Sequence, residues 1–167
     1  MARRVFYSFH FANDFFRTQQ VRNMGALEGQ PLCSANAWED VKRQGAAAVE
    51  HWIERNMEGK TCVIVLVGAQ TASRPWVVHE ISKGWNDGRG VLGIRIDRLL
   101  GTDGQPSTAG ANPMAKVSFT GTSRTLAGVA PLKTPPGADS KAVYASINAN
   151  IGAWIEEAIA IRRNFRG

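Results

Sequence analysis

Apolar positions along this chain alternate between two spacings, a continuous short run and a recurrence every three to four residues. Val5 to Phe9 is an apolar and aromatic run that reads as a short buried strand. Asn13 or Asp14 is placed to cap a helix through Phe15, Phe16, Gln19 and Val21 to about Met24, where Gly25 stops it. Trp38, Val41, Ala48, Val49, Trp52, Ile53 and Met57 recur at helical spacing up to Gly59, which predicts one amphipathic helix. Thr61 to Val67 is mostly β-branched and bounded by glycines, as a strand covered on both faces should be. Ser73 is then placed to cap a helix with Pro75 in its first turn, running to about Trp85 before the Asn86-Asp87-Gly88 turn. Gly90 to Ile96 repeats the buried-strand pattern, and Val143, Ile147, Ile151, Trp154, Ile155 and Ile159 mark a strong C-terminal helix.

Between these elements lie stretches with no period. Residues 25–37 read as a loop with room for a short second strand. Residues 99–115 and 121–140 are rich in Gly, Pro, Ser and Thr and read as long surface connections flanking a short strand at Lys116–Thr120. Alternating strands and helices of this length predict an α/β fold, a flavodoxin-like three-layer sandwich with a central, mostly parallel sheet. Ligands in such folds sit beyond the carboxyl ends of the strands, so the segments after Phe9, Val67 and Ile96 are expected around one cleft.

Composition narrows this picture. With 167 residues and 44% hydrophobic content, the chain is expected to form a single domain over residues 1–167, and wholesale disorder is excluded. Cys33 and Cys62 are far apart, and Cys62 opens an apolar run, so a disulfide framework is not expected. Neither a secretory apolar region nor a membrane-spanning stretch is present in the sequence, which places the chain in the cytoplasm and off the membrane. The net charge of +6 fits a polyanionic partner, but the basic residues are scattered apart from Arg162-Arg163-Asn164-Phe165-Arg166. Cations there complement the negative end of a last helix, which argues against a nucleic-acid partner. His10-Phe11-Ala12-Asn13 stands where a Rossmann fold would carry its glycine fingerprint, and Walker A, HExxH and paired CxxC motifs are lacking. No metal or bound cofactor is expected.

Two segments carry a resemblance. Val5-Phe6-Tyr7-Ser8-Phe9 followed by a polar turn resembles the first strand of TIR domains, an apolar pair followed by Ser and an aromatic residue. Ser73-Arg74-Pro75-Trp76-Val77-Val78-His79-Glu80-Ile81 is similar to the TIR signature in which Ser precedes Trp and Glu follows that Trp by four. The preceding strand and its Gly68 turn stand in the family's order. The opening Phe-Tyr-Ser-Phe-His and the Trp-Val-Val-His-Glu-Ile helix together resemble the TIR-like proteins of bacterial Thoeris anti-phage systems, over roughly residues 4–98.

The resemblance implies an enzyme acting on NAD⁺ as substrate, with Glu80 as the catalytic carboxylate. One carboxylate suffices for that chemistry. Nicotinamide in NAD⁺ is already cationic and leaves as a neutral base, so no paired acid is needed. A fixed anion stabilises the oxocarbenium character of the ribose and accepts hydrogen bonds from its hydroxyls. Trp76, four residues before Glu80, shares its helix face, and a buried indole there would position the carboxylate and raise its pKa. Ser8, Phe9 and His10 are expected on the facing wall, Phe9 to stack on a ring and His10 to meet a phosphate; Gly68 and Ser73 complete the substrate-binding set. Trp38 follows the stretch corresponding to the family's BB loop and is a candidate pocket cover, although the second strand and that loop do not match in detail. The resemblance further implies TIR–TIR self-association, a cyclic ADP-ribose isomer as product, a separate effector reached through that diffusible nucleotide, and a phage-derived trigger. Two alternatives remain open at this point: a non-catalytic TIR-like scaffold acting by domain–domain association, and a flavodoxin-like receptor that binds a nucleotide without consuming it.

Overall fold

A computed structural model describes residues 3–24, 27–29 and 35–166, with the side chains of residues 35–38 outside that description. Its elements in chain order are β1 (Arg3–Phe9), α1 (Phe11–Arg22), β2 (Leu27–Gly29), α2 (Ala35–Arg43), α3 (Ala46–Met57), β3 (Cys62–Val67), α4 (Pro75–Asn86), β4 (Gly90–Arg95), β5 (Leu132–Lys133) and α5 (Ser140–Asn164). The strands form one five-stranded sheet in the order β2-β1-β3-β4-β5, and every pair is parallel. Reversal of strand order falls between β1 and β3, the point at which a flavodoxin-like sheet opens its ligand crevice.

Period-two alternation sorts the strand side chains into two cores. Val5, Tyr7, Cys62, Ile64, Leu66, Leu92 and Ile94 join Val21 of α1 and Val143, Ile147, Ile151 and Ile155 of α5 on one face. Phe6, Val63, Val65, Val67 and Val91 join Val49, Ile53 and Met57 of α3 and Val77, Ile81 and Trp85 of α4 on the other. All six residues of β3 are buried because it is paired on both edges and covered on both faces. Each such side chain stabilises the fold by about 1.5–3 kcal/mol relative to exposure.

Several boundaries depart from the sequence expectation. Helix α1 starts at Phe11 with His10 as its N-cap, so neither Asn13 nor Asp14 caps it; Asp14 is buried in its first turn. The single helix expected from Trp38 to Met57 is two, because Gly45 at φ 101° cannot continue a right-handed helix. Ser73 lies in a 3-10 turn and its hydroxyl donates to the Gln70 carbonyl at 2.8 Å, while Arg74 is the N-cap of α4 and Pro75 its first residue. Between Lys116 and Thr120 there is no strand: Pro113–Lys116 form a 3-10 turn and Ser118 makes an isolated antiparallel bridge to Thr125. The fifth strand lies instead at Leu132–Lys133, inside a stretch read as connection. Two residues are too few to show a period.

No helix among the described residues is long and apolar enough to cross a membrane. Cys62 is a free thiol that burial pushes up to about 12, so it is inert at neutral pH; Cys33 lies outside the described residues. At the C-terminus, Arg162 donates to the Trp85 carbonyl at 2.9 Å and lies 4.7 Å from the Trp85 ring centroid, so the cation complements the end of α4.

Candidate active site

Helix α4 buries Val77, Glu80, Ile81, Gly84 and Trp85, an i, i+3, i+4, i+7, i+8 stripe that packs against the sheet. Glu80 is the one ionisable residue in that stripe, and it is only 7% exposed. On β1 the alternation that sends Phe6 toward α4 sends Ser8 the same way, and Ser8 is fully buried. Ser8 Oγ donates to Glu80 Oε1 at 2.7 Å, joining two segments 72 residues apart. Burial raises the Glu80 carboxyl to about 8, and the Ser8 hydrogen bond lowers it against that trend. Burial therefore favours the protonated form of Glu80 at neutral pH.

The other expected site residues distribute around this pair. Phe9, next in β1, packs against the opposite core and stacks on Phe11 at 5.9 Å. His10 follows at the mouth of the sheet, 9% exposed, and its Nδ1 has no hydrogen-bond partner among the described residues. Burial, then the charges of Arg74 and Lys42, hold His10 below its ordinary pKa. Trp76 is half-buried, not fully so; it packs against the α4-side core and meets the His79 ring edge-on at 5.4 Å. Ser73 is exposed and its hydroxyl is engaged locally. The side chain of Trp38 lies outside the described residues.

Gly68 has a definite reason to be glycine. A Cβ there would fall 2.1 Å from Asp14 Oδ2, so the Asp14 carboxylate packs directly on its Cα, while the Gly68 N–H donates to Thr71 Oγ1 at 2.7 Å. Asp14 in turn accepts from Arg17 at 3.1 Å and from Asn13 at 3.1 Å. Arg17 also donates to the carbonyls of Asn13, Leu99 and Gln105, at 3.2, 2.8 and 3.0 Å, which fixes the 99–105 loop beside the carboxyl end of the sheet. Sequence reasoning missed the Asp14–Arg17 pair. Its i, i+3 spacing was a signal for it.

An all-parallel sheet in this order, with a buried Ser–Glu pair at its switch point, defines a TIR-like α/β domain. The family model described as Thoeris protein ThsB, TIR-like domain, matches residues 6–100, and the chain belongs to that family. It is also 32% identical over 124 residues to the protein of Bacillus cereus (strain MSX-D12) named "Putative cyclic ADP-D-ribose synthase ThsB1". That match covers 71% of this chain and 65% of the relative, so just under two thirds of the relative's length is spanned.

Proposed function

We propose that this protein cleaves NAD⁺ at its nicotinamide–ribose bond and closes the ADP-ribosyl group into a cyclic ADP-ribose isomer, with Glu80 as the catalytic carboxylate. The observation that carries the reading is the buried Ser8–Glu80 pair at the β1/β3 switch point. An acid held neutral by burial tolerates the empty site. Cationic nicotinamide and the oxocarbenium-like ribose then favour its anionic form, so its electrostatic work is concentrated where positive charge develops. Nicotinamide leaves with the electron pair of the glycosidic bond. A hydroxyl of the same molecule bonds to the ribose anomeric carbon and releases its proton to solvent. The enclosure that leaves Glu80 7% exposed favours this internal capture over water.

The name of the Bacillus cereus relative supports the same chemistry. Within a Thoeris system the cyclic nucleotide would act on a separate effector, in the cytoplasm, after a phage-derived trigger and with self-association of the TIR-like domain. The test is to incubate purified protein with NAD⁺, with and without lysate from phage-exposed cells, and to separate nicotinamide and the nucleotide product chromatographically. Nicotinamide release that disappears in Glu80→Gln is expected. Full turnover by Glu80→Gln sinks the assignment of the carboxylate.

A further inference from the structure

The connection from β4 to β5 crosses the carboxyl end of the sheet. Leu99 is anchored in the core that α1 and α5 cover, and Met114 in the core beneath α3 and α4. Between them, Gly110 rests on the β3–α4 turn: a Cβ there would fall 2.1 Å from the Gly68 carbonyl oxygen and 2.8 Å from that of Ala69. Arg95, which β4 pairs with Val67, donates from Nη1 to the Gly110 carbonyl at 2.6 Å. The Ser107 N–H donates to the Asp97 carbonyl at 2.7 Å, so this strap is tied down before and after Gly110. Most of it lies beyond residue 100, where the family match ends.

Helix α4 leaves the covered turn at Pro75, and its two ends are held unequally. Toward the C-terminal end Gly84 packs directly on β3, where a Cβ would fall 2.5 Å from Val63 Cγ2, and the Trp85 carbonyl accepts from Arg162 at 2.9 Å. Among its first four residues only Val77 is buried, so that end takes its position from the turn. Glu80 is four residues from Gly84, and Pro75 is nine. At about 1.5 Å of rise per residue, moving the turn by 1 Å about the Gly84 contact moves Glu80 by about 0.4 Å. Ser8 cannot follow, because β1 holds it in register with Val65. A shift of that size is enough to weaken the 2.7 Å bond between Ser8 and Glu80.

We propose that Gly110 and Arg95 are positioning residues for the NAD⁺-cleaving reaction: clamped on the Gly68 and Ala69 carbonyls, they set the N-terminal end of α4 and through it the placement of Glu80 against Ser8. The assignment rests on the NAD⁺ reading above. Neither residue acts on the reacting atoms, so their loss changes turnover and its pH dependence and leaves substrate binding largely intact.

The experiment compares wild type, Gly110→Ala, Arg95→Met and Arg95→Lys by nicotinamide release across pH, by carbon-detected NMR titration of the Glu80 carboxyl and by thermal unfolding. Gly110→Ala should lose about tenfold in kcat with KM changed less than about twofold, as a misplaced carboxylate predicts. Its kcat/KM midpoint and its Glu80 titration should rise together by about half a unit, because the Ser8 bond is what lowers that pKa. Arg95→Met should move the same quantities by less, and Arg95→Lys should return most of the loss. Assays run well below each unfolding midpoint, and Arg95→Met keeps the test open if Gly110→Ala does not fold. A lowered Tm with unmoved kcat and Glu80 titration overturns the clamp, and so does a change confined to KM. Failure of the NAD⁺ reading looks different: wild type releases no nicotinamide, yet the Glu80 titration still rises in Gly110→Ala.

Discussion

Asp14 and Glu80 are two carboxylates that helices carry into the apolar rim of the same sheet, and their surroundings differ completely. Asp14 is fully buried, but it meets Arg17 and Asn13, and Arg17 in turn is bound by loop carbonyls. Burial holds the Asp14 carboxyl above its ordinary pKa, and the Arg17 charge and hydrogen bond pull it only part of the way back. Glu80 is nearly as buried, yet only the Ser8 hydroxyl opposes its desolvation, and its pKa stands at about 8. A buried acid facing a cation is structural. A buried acid left with a hydroxyl is available to a cation that arrives with the substrate.

Breaking the comparison on the Glu80 side should have the largest effect. Glu80→Gln keeps the shape and the Ser8 hydrogen bond but removes the anion, and nicotinamide release should fall by at least about a thousandfold, roughly 4 kcal/mol of transition-state stabilisation. Wild-type kcat/KM should climb about tenfold per pH unit below 8 and level above it, since the active form of the free protein is the carboxylate. A profile already flat at pH 6 would show that Glu80 is ionised in the empty site, contrary to its burial.

On the Asp14 side the loss should be in stability. Arg17→Met leaves a buried carboxyl without its cation and three backbone carbonyls without their donor. Breaking a buried pair from one side costs about 3–5 kcal/mol, which for a chain of this size lowers Tm by roughly 10 °C. Well below that midpoint, Arg17→Met should still release nicotinamide, and a calorimetric scan beside an activity assay separates the two effects. Loss of turnover without loss of Tm would move Arg17 into the chemistry.

Stability against pH sharpens the same contrast. The unfolded chain releases the Glu80 proton near its ordinary pKa of about 4.3, whereas the folded protein keeps it until about pH 8. Between those values the folded state binds the extra proton, so the wild type loses stability as pH rises and stops losing it above 8. Glu80→Gln carries no such proton. Its Tm should match wild type near pH 4 and exceed it by an amount that grows to pH 8, corresponding to a few kcal/mol at 1.36 kcal/mol per unit. Parallel melting curves across that window would contradict the raised pKa.

These differences also explain what could be read before the coordinates were known. β1, β3 and β4 carry continuous apolar runs, and Glu80 announces itself as a charge at a core position of an apolar stripe four residues after a Trp. Strand alternation should have separated Ser8 from Phe9, since neighbours on a strand face opposite sides, and only Ser8 reaches α4. Gly45 sits among good helix formers, so nothing in the local pattern reveals that its φ is positive. Leu132–Lys133 is a strand because β4 has a free edge beside it, a tertiary fact with no local signature.

The smallest change with a clear sign is at the hydroxyl between the two segments. Ser8→Ala removes the donor to Glu80 Oε1, a hydrogen bond that lowers the carboxyl's pKa. Losing a donor to a charged group costs about 1.5–3 kcal/mol when the acceptor is ionised and less when it is neutral. The variant should therefore fold almost as stably as wild type at neutral pH, where Glu80 is protonated, while the rise of kcat/KM moves to higher pH by about one unit or more. At pH 7 this appears as a loss of about tenfold in rate, and above the new midpoint part of the loss should be recovered. Ser8→Thr, which retains a hydroxyl, should restore the midpoint if the residue acts through that bond. A Ser8→Ala profile with an unmoved midpoint would leave burial alone setting the Glu80 pKa and would reduce Ser8 to packing.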